Sequence, residues 1–149
     1  MIGLLLLWAA SAPEMQIAAD QTSVVMKCKL ASVGDAGSHD LDVAFFDPPV
    51  SWAQALNFRD PDHLLPSRSR PLMANSWPTA FLVSFVDPAA NDRKTGALSV
   101  TPSVTDTSQA DARIDVAANE TNTARSYSGQ CAYTQGRAAE AEFRKLQQR

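Results

Sequence analysis

Two cysteines and two histidines carry most of the reactive side-chain chemistry in this chain of 149 residues. As thiols, Cys28 and Cys131 are candidate nucleophiles, given a thiolate-stabilising environment and a base such as His39 or His63. As a disulfide they are inert and become an architectural clasp. The disulfide is the reading adopted for an exported chain, since an oxidising compartment lets two cysteines pair. The competing reading is two buried free thiols in a cytoplasmic protein. His39 is followed by Asp40 and Asp42, and His63 closes Asp60-Pro61-Asp62-His63. Zinc accepts imidazole and carboxylate, but neither cluster has a zinc-site spacing, and both read as solvated polarity. Asp87, Asn91 and Asp92 resemble a calcium loop in composition only; with Pro88, Ala89 and Ala90 between them they read as an ordinary turn. No serine sits in G-x-S-x-G, and no glycine-rich phosphate loop is present. Asn119-Glu120-Thr121 is formally a glycosylation acceptor and reads as a turn. No catalytic residue, metal ligand or cofactor is expected.

The aromatic residues offer a different chemistry. Trp52, Phe58 and Trp77 flank a proline-rich stretch, and Tyr127 and Tyr133 fall on the apolar face of a late strand. If the sheet closes into a partly open barrel, Trp52, Trp77, Tyr127 and Tyr133 are the candidate ligand-facing residues of a pocket beneath that stretch. The plainer alternative is that these rings complete a small core.

These groups must be positioned by elements that read mainly as strands. Thr22–Ala31 alternates, with Val24, Met26, Cys28 and Leu30 on one face and Lys27 and Lys29 on the other, the pattern of a half-buried strand. Leu41–Phe46 is a second strand, stopped by Asp47-Pro48-Pro49. Val50–Phe58 reads as a short helical turn. Arg59–Pro78, with Pro61, Pro66, Pro71 and Pro78, reads as a long irregular loop. Ala80–Asp87 is the most apolar strand, Ala97–Val104 returns beside it, and the polar connection between them turns at Thr95-Gly96. Asp111–Ala117 and Ala124–Thr134 complete the set. Gly129, two residues before Cys131, leaves room for close approach at the clasp. Gly136 breaks strand from helix, and Arg137–Gln148 carries Ala139, Phe143 and Leu146 at helical spacing. The expectation is a mainly β fold: a small antiparallel sheet, sandwich or partly open barrel, with a proline-rich middle loop and a short C-terminal helix.

Composition bounds the setting. Hydrophobic content is 45%, charged content 19% and net charge −3, with a pI near 5.2. Such a chain lacks the basic surface that nucleic acid requires, so no nucleic-acid partner is expected. The local cationic pairs, Arg68/Arg70 and Arg93/Lys94, read as loop charges. Leu4–Ala10 is too short to span a bilayer as a helix and matches the apolar core of a secretory leader, with small residues permitting cleavage after Ala12 or Ala19. No positive charge precedes it, so an apolar element of the domain is the competing reading. Residues 1–19 are assigned to the leader, 20–136 to one β-rich domain and 137–149 to a helical or frayed tail. No stable membrane span is expected after processing, and the location read from this is periplasmic or secreted.

Met26-Lys27-Cys28, Asp92-Arg93-Lys94-Thr95-Gly96-Ala97-Leu98 and Tyr127-Ser128-Gly129-Gln130-Cys131 together resemble elements of small exported bacterial β-proteins of unknown function. The resemblance covers Thr22–Thr134 and departs at the proline-rich middle. It implies a first-strand cysteine paired with a Gly-x-Cys near the end, and no catalytic residues. The functional expectation is an exported, non-enzymatic protein that binds a macromolecule or small molecule. The alternatives are an accessory component of the cell envelope or of a larger assembly, and a small hydrolase with an unrecognised site.

Overall fold

The computed structural model of the chain describes residues 22–47, 56–75, 77 and 79–148. The leader expected at 1–19, Trp52 and most of the helical turn expected at Val50–Phe58 lie outside them. Eight strands form the sheet: β1 (Thr22–Ala31), β2 (His39–Asp47), β3 (Asn57–Arg59), β4 (Arg70–Asn75), β5 (Phe81–Asp87), β6 (Arg93–Pro102), β7 (Gln109–Val116) and β8 (Arg125–Gln135). One helix follows, α1 (Arg137–Gln147). Every pairing is antiparallel, in the order β3-β2-β1-β8-β7-β6-β5-β4, and the sheet curls into a half-barrel.

Alternation decides which face each residue takes. Val24, Met26, Cys28 and Leu30 of β1 point into the concave side and are buried; Lys27 and Lys29 point out. Ala112, Ile114 and Val116 of β7 do the same, with Arg113 and Asp115 outward. The curl brings opposite halves of the sheet into contact. Phe45 of β2 stacks on Phe81 of β5 at 4.4 Å between ring centroids, although β1, β8, β7 and β6 lie between them in the sheet. Phe58 of β3 meets Phe85 of β5 at 5.9 Å. The concave side is filled by side chains from both halves.

Cys28 and Cys131 are bonded, 103 residues apart in sequence and directly opposite each other in the β1–β8 ladder, with Cα atoms 3.9 Å apart. The first and last strands are therefore neighbours in mid-sheet. Gly129, across from Leu30, permits that approach: a Cβ there would lie 2.0 Å from the Lys29 carbonyl oxygen. Backbone meets backbone at this point, and no rotamer change could relieve the overlap.

Three local expectations are corrected. The β5–β6 connection turns at Asp87–Asp92, ahead of Thr95-Gly96. Asp87 caps a single 3₁₀ turn, Pro88–Ala90, by accepting from the Ala89 N–H at 2.9 Å, and Asn91 and Asp92 close it at φ 54° and 59°. Thr95 and Gly96 thus lie within β6. Second, the irregular stretch contains β4. Pro71 is tolerated there because β4 is an edge strand, where a missing N–H leaves no inner ladder unpaired. Third, Asn57–Arg59 is an edge strand rather than the end of a helical turn.

The outer face carries a second, smaller core. Val25, Ala44 and Phe46 are covered by Ala139, Phe143 and Leu146 of α1, the residues with helical spacing in the sequence. Phe46 and Phe143 rings lie 4.4 Å apart. Gly136, at φ 67°, turns the chain from β8 into α1, and its N–H donates to the Ser23 carbonyl at 2.9 Å. Among the described residues, no helix is long and apolar enough to cross a membrane.

Candidate functional site

The antiparallel order gathers four connections at one end of the half-barrel: residues 32–38, 60–69, 88–92 and 117–124. The second of these joins the two edge strands, β3 and β4, and is pinned along its length. The Asp60 carboxylate accepts from the N–H groups of Leu64 and Leu65 at 2.8 and 2.9 Å. Leu64 and Pro66 are buried. Pro66 sits over Gly96, where a Cβ would come within 2.8 Å of its ring. The Ser67 N–H and hydroxyl donate to the Asn122 side-chain oxygen. The Ser69 and Thr95 hydroxyls lie 2.6 Å apart, and buried Thr95 donates to the Phe85 carbonyl at 3.1 Å. Arg125 donates to the His63 carbonyl at 2.8 Å. Residues 60–69 of the proline-rich stretch form a hydrogen-bonded rim.

Between this rim and the turns at 88–92 and 117–121 lies a cleft of about 520 Å³. Arg68, Arg93 and Lys94 line it, so the structure joins one member of one cationic pair to both members of the other. Arg70 is drawn off to Asp92, at 2.8 Å. Arg70, Arg93 and Lys94 belong to strand ends, which corrects their reading as loop charges. The three lining cations make no ion pair among the described residues. Asp87 and Glu120 also line the cleft. Its walls are internally bonded: the Ala117 N–H donates to the Thr95 carbonyl at 2.8 Å, and the Asn119 side-chain oxygen accepts from the N–H groups of Thr121 and Asn122. Arg68 itself is held at φ 58°, a left-handed conformation that costs a non-glycine residue of the order of 1 kcal/mol.

A second cluster stands at the same end. The His39 ring is gripped on both nitrogens, Nε2 by Asp35 at 2.7 Å and Nδ1 by Asp62 at 3.2 Å. It thereby ties the 32–38 connection to the 60–69 rim. Only the imidazolium can donate to both carboxylates at once. The bond to Asp35, with a smaller contribution from Asp62, accordingly raises the His39 pKa against the opposing effect of desolvation. The same bond, with the Gly37 N–H, lowers that of Asp35. Asp40 pairs with Lys29 and Asp42 with Arg59 on the outer face, so these two acidic neighbours in sequence do not converge on His39. Among the described residues, no group of three His, Cys, Asp or Glu side chains is placed to hold a metal ion.

The aromatic candidates take different positions. Trp77 is 2% exposed and meets Tyr133 edge-on at 4.7 Å, at the opposite end from the rim. The Tyr133 hydroxyl donates to the Thr107 carbonyl. Tyr127 lies at the rim end, half-buried, edge-on to His39 at 5.6 Å. Tyr127 and Tyr133 are packed against the filled core. The cleft went unseen in the sequence because its cations come from segments 25 residues or so apart, and only strand pairing makes them neighbours. Comparison with protein-family models, with curated proteins and with solved structures finds no match.

Proposed function

We propose that the protein is an exported, non-enzymatic binding protein whose ligand face is the loop-bearing end of the half-barrel. The observation that carries this reading is the cleft at Arg68, Arg93 and Lys94, where polar groups converge on a recess of about 520 Å³. That size falls within the range of small-molecule sites. A binding role also agrees with the state of the reactive groups. Both thiols are consumed in the disulfide, and both nitrogens of His39 are engaged by carboxylates. Export agrees with the disulfide, which persists in oxidising compartments.

Two measurements test the reading. Intact mass and thiol labelling of protein from its native host should show loss of the leader and two blocked thiols; full-length protein with two reactive thiols would remove the export half. For binding, amide chemical shifts would be followed during titration with a small-molecule library. Saturable shifts confined to residues 60–69, 87–95 and 117–125 are expected. Ligands that perturb only the opposite end or the outer face of the sheet would sink the assignment.

A further inference from the structure

Resting on the reading of this end as the ligand face, we propose that the cleft binds a hydroxylated anion, an acidic sugar or a sugar phosphate. Arg68, Arg93 and Lys94 take the anionic group, and Asp87 and Glu120 accept from the hydroxyls. Three observations lead there. The chain is acidic overall, at net charge −3, so three cations around one recess are not a by-product of a basic surface. Lys29 pairs with Asp40, Arg59 with Asp42 and Arg113 with Asp115, whereas Arg125, Arg137 and Arg144 also lack an ion pair among the described residues, so what sets Arg68, Arg93 and Lys94 apart is that they converge on one recess. At the cleft Asp92 is taken by Arg70, and Asp87, the cross-strand partner of Arg93, lines the recess without an ion pair among the described residues. An arginine fork matches the planar oxygens of carboxylate or phosphate, and the lysine adds a point charge.

The two carboxylates in the lining make a bare, densely charged anion a poor occupant. They suit one whose remaining surface offers hydrogen-bond donors. One Asp87 oxygen is committed to the Ala89 N–H, and Glu120 makes no ion pair among the described residues. Pro88, Ala90 and Ala118 contribute small apolar surface beside them and leave the recess open to a ring-sized molecule. The backbone walls are already hydrogen-bonded, so the ordering on binding falls on the exposed side chains of Arg68, Arg93 and Lys94.

The test is calorimetric titration of the full chain at constant ionic strength with glucose 6-phosphate, glucuronate, glucose and inorganic phosphate. Saturable binding of glucose 6-phosphate or glucuronate is expected, and whichever binds tighter identifies phosphate or carboxylate as the group read. Glucose and inorganic phosphate should each bind at least about tenfold more weakly, since each lacks one half of the recognition. Arg93→Gln and Lys94→Gln, both at exposed positions, should each weaken the preferred ligand by about tenfold, while Arg113→Gln, outside the cleft, leaves affinity unchanged. The proposal is overturned if neither charged sugar saturates by ~10 mM, if glucose binds as tightly as they do, or if the cleft variants match the parent. A neutral ligand that still shifts the rim resonances would leave the binding role standing and remove only the charge assignment.

Discussion

His39 shows how one side chain can join two connections. Its ring bridges Asp35 and Asp62, and protonation is what allows both bonds to be donated at once. The consequence for pH follows from the direction of each shift. The folded His39 pKa is raised above the ordinary 6.5, so its stabilisation is fully present below that value and is lost as pH rises through the raised one. The Asp35 pKa is lowered, so its stabilisation is present above the ordinary carboxylate value and is lost as pH falls through the lowered one. The bridge therefore holds between those limits. An NMR titration should place the His39 midpoint above that of an unstructured peptide, with Asp35→Asn bringing it down; a midpoint at or below the peptide value in the parent would show that the bridge does not form in solution. The sequence reads Asp40 and Asp42 as solvated, in agreement with their outward pairs, and does not point to the two carboxylates that hold the ring. Asp40 and Asp42 are adjacent in sequence yet lie on β2 and pair outward, while Asp35 and Asp62 reach the ring from separate connections.

At the scale of elements, periodicity was a reliable guide wherever one face was buried and the other wet. Strands β1, β7 and β8 and helix α1 all fall where alternation or helical spacing puts them. It failed at β4, because Pro71 reads as a breaker and only an edge position makes it compatible with a strand. It also misplaced the β5–β6 turn, where the cap by Asp87 and the left-handed Asn91 and Asp92 outweigh the turn propensity of Thr95-Gly96. Helix α1 makes a separable contribution, since its core of Val25, Ala44, Phe46, Ala139 and Phe143 is distinct from the concave one. Phe143→Ala should cost about 3 kcal/mol by urea unfolding and free α1 amides to exchange while the sheet amides stay protected. Loss of protection across the whole sheet would mean that the two cores are not separable.

For the whole molecule, the disulfide ties β1 to β8 across nearly the full length of the described chain. A cross-link closing a loop of 103 residues restricts the unfolded ensemble, and its removal typically costs about 2–5 kcal/mol. The double substitution Cys28→Ala/Cys131→Ala should lower the urea midpoint accordingly and retain the β-sheet circular dichroism, because the two strands remain paired over eight residue pairs. An unchanged midpoint would assign the clasp no role in stability. The amino-acid sequence by itself determined the β class, the inward placement of both cysteines, the close approach at Gly129 and the helical tail. Each of these depends on periodicity or on a residue's own covalent limits, which are local properties. The expected disulfide already tied the first strand to the last; the tertiary structure alone decided that β1 and β8 pair directly in mid-sheet, that residues 60–69 form a pinned rim, and that Arg68, Arg93 and Lys94 share a cleft. Those outcomes depend on which strands pair and how far the sheet curls, and pairing is settled by contacts among residues distant in sequence.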